Sequence, residues 1–241
     1  MRYAVLSDIH ANMEALSSVL SSLKSRGVER AVCLGDVVGY GAEPREAVSS
    51  VRDWSEATVL GNHDAGAVAE NGLGSFNRYA REAVEWTRGR LGDDEREFLS
   101  GCPLTERYEG ALLVHASPAE PGSWTYVLEE REAEEAFAAF EGDLCFLGHS
   151  HEPCFFEQRE GAVRKLPPGT IELAPGSRYI VNPGSVGQPR DGDPRASYAV
   201  ADAGEKRIEI VRVPYDFREA GARIEREGLP VVLSERLATG L

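Results

Sequence analysis

Side chains able to ligate a metal recur directly after short apolar runs of this sequence. The five histidines are all expected in loops that follow such runs, and none on a helix: His10, His63, His115, His149 and His151. Two carboxylates and an amide accompany them, namely Asp8, Asp36 and Asn62. Imidazole, carboxylate and amide groups suit zinc, manganese or iron better than calcium. The pattern therefore predicts a transition-metal centre.

Spacing within this set indicates how the side chains converge. Asp8 and His10 are two positions apart, as are His149 and His151, and on extended backbone such pairs share one face. The whole set exceeds what one tetrahedral ion needs, whereas two ions sharing a bridging carboxylate would use it. Sharp bends near a ligand favour glycine, and the same loops contain Gly35, Gly39, Gly41, Gly61 and Gly148.

The elements that must position these loops follow a repeated order of strand, loop and helix. Apolar runs predict strands over residues 3–6, 31–34, 57–60, 111–115 and 144–147. Helical spacing and helix breakers predict helices over residues 13–26, 44–51, 75–91, 93–100 and 129–140. This alternation is typical of α/β folds with parallel strands, whose chemistry collects beyond the carboxyl ends of the strands. Because the strand ends of one sheet share an edge, we expect the histidines to meet there.

The order of predicted elements changes after residue 151, because the strands there are no longer separated by helices. Strands are predicted over residues 154–158, 170–174, 178–182, 196–201 and 207–213, with a hairpin turn at 203–206. We expect them to form a second, antiparallel sheet. Two helices, over 216–227 and 230–239, are separated by Pro230. With no linker in the pattern, residues 1–241 are predicted to form one domain.

Composition narrows the classes of partner. The net charge of −14 and the isoelectric point of about 4.9 argue against nucleic-acid binding and against docking on anionic membranes. Four scattered cysteines make neither a zinc knuckle nor a disulfide framework and are predicted to be structural, reduced thiols: Cys33, Cys102, Cys145 and Cys154. No run is long enough for a signal-peptide core or a membrane span, so a cytoplasmic protein is predicted.

Five motifs together resemble the calcineurin-like metallophosphoesterase superfamily. They occur in the family's order over about residues 4–151: Asp8-Ile9-His10, Gly35-Asp36-Val37-Val38-Gly39, Gly61-Asn62-His63-Asp64, Val114-His115 and Gly148-His149-Ser150-His151. The segment 182–190 is also similar to the small prokaryotic phosphodiesterase branch. The resemblance implies an α/β fold, a four-layer α-β-β-α sandwich of two mixed sheets flanked by helices.

The resemblance also implies roles for the site residues. Asp8, His10 and His151 would hold one divalent ion, Asn62, His115 and His149 a second, and Asp36 would bridge the two. Manganese is the expected metal, with iron, zinc or nickel as alternatives. A hydroxide bridging the ions would attack the phosphorus in line. His63 would face the substrate as a catalytic residue, and Asp64 would orient its loop.

One departure from the family bears on the substrate. The protein serine/threonine phosphatase branch carries Asp-Arg-Gly where this chain has Gly39, Tyr40 and Gly41. Both the phosphate-gripping arginine and the aspartate that pairs with the catalytic histidine are therefore missing, which favours a phosphodiesterase. Arg190 or Arg195 is a candidate replacement for the cation, and Tyr40 and Trp124 are candidates for lining the substrate mouth.

Three other interpretations remain open at this point. A phosphomonoesterase acting on nucleotides or phosphoproteins would use the same centre. A non-catalytic scaffold would be expected to have lost His63 or some ligands. A dinucleotide-binding module is disfavoured because no G-x-G-x-x-G follows the first strand. A small phosphoester is the predicted partner, and a homodimer through the tail is a further possibility.

Overall fold

The computed structural model describes residues 1–69 and 73–241. Its strands, in chain order, are β1 (Arg2–Leu6), β2 (Ala31–Cys33), β3 (Ser55–Thr58), β4 (Thr105–Tyr108), β5 (Ala111–Val114), β6 (Leu144–Phe146), β7 (Cys154–Arg159), β8 (Ala162–Leu166), β9 (Thr170–Glu172), β10 (Arg178–Asn182), β11 (Ala196–Asp202) and β12 (Arg207–Val213). Its α-helices are α1 (Met13–Ser25), α2 (Pro44–Trp54), α3 (Asn62–Val68), α4 (Arg78–Arg88), α5 (Asp93–Gly101), α6 (Glu130–Ala138), α7 (Phe217–Arg226) and α8 (Val231–Glu235).

The strands form two mixed sheets of six strands each. The first sheet has the order β3-β2-β1-β11-β12-β9, and the second has the order β4-β5-β6-β10-β7-β8. Both sheets contain parallel pairs, for example β1 with β2 and β5 with β6, together with antiparallel pairs such as β1 with β11. Helices flank the sheets, so the predicted sandwich of two mixed sheets is confirmed.

Side chains that alternate along each strand face two different apolar cores, one between the sheets and one beneath the helices. Tyr3 and Val5 of β1 pack in the core between the sheets with Phe146 and Val181 of the second sheet. Ala4 and Leu6 point the other way, into the core beneath α1 and α2. On the outer face of the second sheet, Phe137 of α6 packs in a third cluster. These apolar layers hold both sheets in place behind the loops that carry the site.

The C-terminal helices cover a different part of the molecule. Leu233 of α8 and Leu237 of the following 3-10 turn pack in one cluster with Tyr40 and with Ala80 of α4. The tail therefore adjoins the loop after β2, which carries Asp36. None of the helices in residues 1–69 and 73–241 is long and apolar enough to span a membrane.

The tail strands do not form a sheet of their own, so that prediction is wrong. β11, β12 and β9 extend the first sheet, because β11 pairs with the otherwise open edge of β1 in the register Tyr3↔Ala201. β7, β8 and β10 instead join β5 and β6. The predicted hairpin at 203–206 is correct and joins β11 to β12.

Other differences have local causes. Strands β4 and β8 were not predicted because their exposed and half-buried residues carry no apolar run. The loop predicted around residue 62 is a helix, α3, too short for a periodic pattern. The helix predicted from residue 75 begins at Arg78, after the Asn77 side chain caps it. The last predicted helix is α8 followed by a 3-10 turn.

Candidate metal centre

Five strands from both sheets deliver the candidate ligands. Asp8 and His10 follow β1, Asp36 follows β2, and Asn62 and His63 follow β3; His115 follows β5, and His149 and His151 follow β6. The prediction that one sheet edge gathers the histidines is therefore wrong, since two sheets contribute. His63 also lies in the first turn of α3 rather than in a loop.

Backbone strain concentrates at these residues. Five of them adopt left-handed backbone although they are not glycine, with φ of 55° at Asp8, 50° at His10, 51° at Asp36, 66° at His149 and 63° at His151. Each such residue costs about 1–3 kcal/mol and persists only where the surroundings impose it. The pairs two positions apart therefore converge through tight bends, and not through the extended backbone that their spacing suggested.

The first group of ligand atoms comprises Asp8, His10, Asp36 and His151, all buried and within 4.8 Å of one another. The Nε2 atom of His151 lies 3.2 Å from Asp8 Oδ1 and 3.1 Å from His10 Nε2. His10 Nε2 is also 3.7 Å from Asp36 Oδ2. Four donor atoms thus surround one point.

The second group comprises Asp36, His115 and His149, again within 4.8 Å of one another. The Nε2 atom of His115 lies 3.4 Å from Asp36 Oδ2 and 3.2 Å from His149 Nδ1. The amide oxygen of Asn62 is also 3.2 Å from His115 Nε2. Asp36 belongs to both groups, so the structure brings all seven predicted ligands together around one carboxylate.

Backbone carbonyls determine which ring nitrogen of three histidines faces the centre. The Nδ1 atoms of His10, His115 and His151 lie 3.1, 2.8 and 2.5 Å from the carbonyl oxygens of Val38, Leu34 and Gln188. A carbonyl only accepts, so each Nδ1 must donate its hydrogen. In a neutral ring the Nε2 lone pair is then left for the centre.

Two observations indicate that this centre fits a cation. The Nε2 lone pairs of His10 and His151 face each other at 3.1 Å, an arrangement that a shared cation relieves. Asp8 Oδ1 is buried and accepts no hydrogen bond from the described residues. Imidazole nitrogens together with carboxylate and amide oxygens are ligands for divalent transition metals. The residues therefore fit the metal ions that the sequence predicts.

Burial and mutual charge determine the protonation states. Burial holds the pKa of His10 well below its usual value and lowers that of His149 to about 3. Burial alone would raise the pKa of Asp36, but the neighbouring His115 and His63 lower it well below the usual value. Burial would lower the pKa of His115, yet Asp36 raises it to about 9. His115 is therefore the histidine that holds a proton near neutral pH in the metal-free protein.

Metal binding is expected to release about one proton per chain from His115 near neutral pH, in addition to the proton lost when metal-bound water becomes hydroxide. Below a pH of about 9 a metal must displace that proton from Nε2, so affinity should rise by about tenfold per pH unit until the pKa is passed. Calorimetric titration with Mn²⁺ in buffers of different ionisation enthalpy measures the released proton. The His115→Asn variant is the control and should release about one proton fewer than the wild type. A metal affinity that does not change between neutral pH and pH 9 would contradict the assignment.

Asp64 ties the loops of the centre together. Its Oδ1 accepts from the backbone N–H of Val38 at 3.0 Å, and its Oδ2 accepts from that of Gly61 at 3.2 Å. Asp36 Oδ1 in turn accepts from the backbone N–H of His63 at 2.8 Å. Glycine is required at position 61, since an added Cβ would lie 2.1 Å from Asp36 Oδ1.

The end of β10 and the segment after it support the centre in a way that residue types did not predict. Asn182 Nδ2 donates to the Gly148 carbonyl at 2.9 Å, and Ser185 Oγ donates to the Asp8 carbonyl at 2.8 Å. The Gln188 carbonyl orients His151. These residues position the ligand loops; the sequence marked them only as part of the segment 182–190 that is similar to the phosphodiesterase branch, without indicating this role.

A cleft of about 220 Å³ opens onto the centre. Its lining residues are Asp36, Tyr40, Asn62, His63, Phe76, Asn77, Ala80, Ser123, Trp124, Tyr126, His149, His151 and Arg190. Tyr40 and Trp124 therefore line the cleft, as proposed from the sequence. Phe76, Asn77 and Tyr126 were not predicted; the Tyr126 ring stacks on His149 with centroids 4.0 Å apart.

His63 lies at the side of this cleft without a partner on Nδ1. That nitrogen is buried and makes no hydrogen bond to the described residues. The backbone of Gly39 fills the space beside it, because a Cβ at position 39 would lie 2.3 Å from His63 Nδ1. The absence of an aspartate at position 39 therefore leaves the His63 ring unpaired. Burial lowers the pKa of His63 to about 4, so the ring is neutral near pH 7.

The two candidate arginines occupy different places. Arg190 lines the cleft and donates to the hydroxyl of Tyr40 at 3.3 Å. Arg195 is half-exposed and pairs with Asp193 at 2.6 Å, away from the lining.

Comparisons with known proteins identify the family to which the chain is similar. A model of the calcineurin-like phosphoesterase superfamily domain matches residues 1–206. The protein MJ0912 of Methanocaldococcus jannaschii is 43% identical over 241 residues, which cover 98% of this chain and 97% of that protein. A metallophosphoesterase structure from Sphaerobacter thermophilus is similar with a TM-score of 0.88 and 40% identity, covering 100% of this chain and 99% of that one. Phosphodiesterase YfcE of Escherichia coli K12 is 26% identical over 209 residues, covering 84% and 88%.

Proposed function

Since the chain belongs to the calcineurin-like phosphoesterase superfamily, we propose that it hydrolyses small phosphodiesters at a dinuclear metal centre. The observation that carries the proposal is the shared carboxylate: Asp36 lies within ligand distance of both groups of donors. Asp8, His10 and His151 would hold one ion, and Asn62, His115 and His149 would hold the other. When bound, the two ions, manganese in this proposal, supply positive charge for the phosphoryl oxygens and a hydroxide at neutral pH.

The protein's own groups then act on the substrate. His63 is neutral near pH 7, so it donates a hydrogen bond to the leaving oxygen as a neutral imidazole. Arg190, the arginine that lines the cleft, neutralises a phosphoryl oxygen. Asp64 holds the His63 and Asp36 loops in register through its two backbone contacts. Tyr40, Trp124 and Tyr126 give the cleft aromatic walls that limit access of water.

Preference for a diester rests on charge. A phosphomonoester brings nearly two negative charges, and the arginine that would grip it is replaced by Tyr40. Arg190 makes no ion pair among the described residues and supplies one positive charge, which suits the single charge of a diester. The name of the related phosphodiesterase YfcE supports the same choice. We further propose that residues 1–241 act as one domain in the cytoplasm, where the four unpaired cysteines stay reduced.

The test is a comparison of two chromogenic substrates on the manganese-loaded protein. We expect bis(p-nitrophenyl) phosphate to be hydrolysed with a kcat/KM about tenfold or more above that of p-nitrophenyl phosphate, because the cleft lacks cations for a second negative charge. Chelation should abolish both rates, and added Mn²⁺ should restore them.

Other outcomes favour the alternatives. A faster monoester reaction would identify a phosphomonoesterase. No turnover of either substrate by protein that binds two ions would identify a non-catalytic scaffold.

A further inference from the structure

Two arginines, one at the cleft and one in the C-terminal turn, have no acidic partner in the part of the chain that the structure describes. Among residues 1–69 and 73–241, no ion pair involves Arg190 or Arg236, although most other arginines with an ordered contact pair with a carboxylate. Arg190 has only neutral contacts, to Gln188 Oε1 at 3.0 Å and to the Tyr40 hydroxyl. In a chain of net charge −14, an unneutralised pair of guanidinium groups requires an explanation.

The acidic residues nearest in sequence are already engaged. Asp191 pairs with Arg212, and Asp193 pairs with Arg195 at 2.6 Å. The loop that carries Arg190 therefore contains carboxylates, yet these neutralise other arginines. The positive charge of Arg190 stays available to the cleft.

Arg236 reaches this region through the C-terminal turn. Its neighbour Leu237 packs in the cluster that contains Tyr40, and the Gly240 carbonyl accepts from the Gly192 N–H at 2.9 Å. The Nε atom of Arg236 is buried and has no hydrogen-bond partner among the described residues. Burial, and then the charge of Arg190, lower the pKa of this guanidinium. The turn that carries Arg236 thus lies beside the Arg190 loop, and the Arg236 guanidinium is partly withdrawn from water.

Two such charges are stable together when bound anions neutralise them. Guanidinium groups bind phosphate through paired, charge-assisted hydrogen bonds, and a terminal phosphate carries nearly two negative charges. Arg236 is not among the residues that line the cleft over the metal centre. It is therefore placed for a group beyond the reacting phosphorus. It also lies outside residues 1–206, the part that the family model matches.

We propose that Arg236, beside Arg190, forms an anion subsite that takes a second phosphate of the substrate, while Arg190 faces the phosphate that reacts. The preferred substrate is then a phosphodiester that also bears a terminal phosphate. This inference rests on the proposed function for its reaction, but the anion subsite itself can be tested by binding alone.

The binding test uses metal-free protein and inorganic phosphate, followed by titration calorimetry. In the absence of metal the ligand groups repel phosphate, so binding must come from the arginines. We expect Arg236→Gln to weaken binding about tenfold and Arg236→Lys to retain most of it. Arg218→Gln removes an exposed arginine stacked on Phe217 and should bind like the wild type. Absence of binding to the wild type, or equal binding by Arg236→Gln, would overturn the subsite.

The kinetic test compares two p-nitrophenyl diesters of thymidine 5′-phosphate, with and without a 3′-phosphate. We expect the wild type to favour the 3′-phosphorylated compound about tenfold in kcat/KM, mainly through KM. The preference should fall toward one in Arg236→Gln and persist in Arg218→Gln. A preference unchanged in Arg236→Gln rejects the proposal. If neither diester is hydrolysed, the proposed function fails, and the phosphate titration decides the subsite independently.

Discussion

Replacing Asp36 by asparagine is expected to remove both metal ions and to lower kcat/KM for a phosphodiester by about 10³-fold or more. Asp36 is the carboxylate common to both groups of donors, with Oδ2 at 3.4 Å from His115 Nε2 and 3.7 Å from His10 Nε2. Asparagine keeps the volume and an acceptor for the His63 N–H but loses the negative charge that two cations share. Metal content per chain, together with the rate on bis(p-nitrophenyl) phosphate, measures the effect.

The matched control is Asp53→Asn, the same change at an exposed position of α2. It should keep both the metal content and the rate of the wild type. An Asp36→Asn protein that binds two ions and turns over at the wild-type rate would refute the role of Asp36 as a bridge. Circular dichroism of both variants separates loss of metal from loss of fold.

Replacing His63 by alanine is expected to leave two ions bound and to lower kcat by about 10²–10⁴-fold for a diester with an alkyl leaving group. The loss follows because His63 is proposed to donate to the leaving oxygen, which a poor leaving group needs most. The backbone N–H of residue 63, which donates to Asp36 at 2.8 Å, is kept in the variant. Metal content and single-turnover rates measure the two effects separately.

The leaving group supplies an internal control. p-Nitrophenolate leaves readily without a hydrogen-bond donor. The kcat for its diester should therefore fall clearly less in His63→Ala than the kcat for the alkyl diester. Equal losses for both leaving groups would mean that His63 acts in binding instead. Undiminished turnover with metal bound would remove His63 from the mechanism. The His63→Gln variant, which fills the site again with a donor, should recover part of the rate if the cavity alone caused the loss.

Much of the site was predictable because its information is local. Each ligand follows an apolar run, and a buried strand requires such a run because its side chains pack in the core. Asp8, Asp36 and His115 could therefore be assigned to strand ends without knowing how the strands pair. Exposed strands such as β4 escaped prediction for the same reason, since they need no apolar pattern.

Pairing between distant segments was not predictable from such patterns. β11 joins β1 from almost 200 positions away in the chain, so no local signal distinguishes it from a strand of the second sheet. The position of Arg236 depends on the same kind of contact, because its turn is attached to the Arg190 loop through Gly192 and Gly240. Nothing in the sequence around an isolated arginine near the C-terminus indicates that it will lie beside the Arg190 loop.

The sequence by itself determined the chemical character of the centre, because residue types and their order after strands specify which atoms are available. Only the tertiary structure decided how those atoms are presented. Left-handed backbone at Asp36, for example, and the carbonyls that hold the rings of His10 and His151, arise from contacts between separate loops. Such contacts exist only once two sheets have packed together. The direction of a lone pair is therefore a property of the fold, whereas the identity of the ligand is a property of the chain.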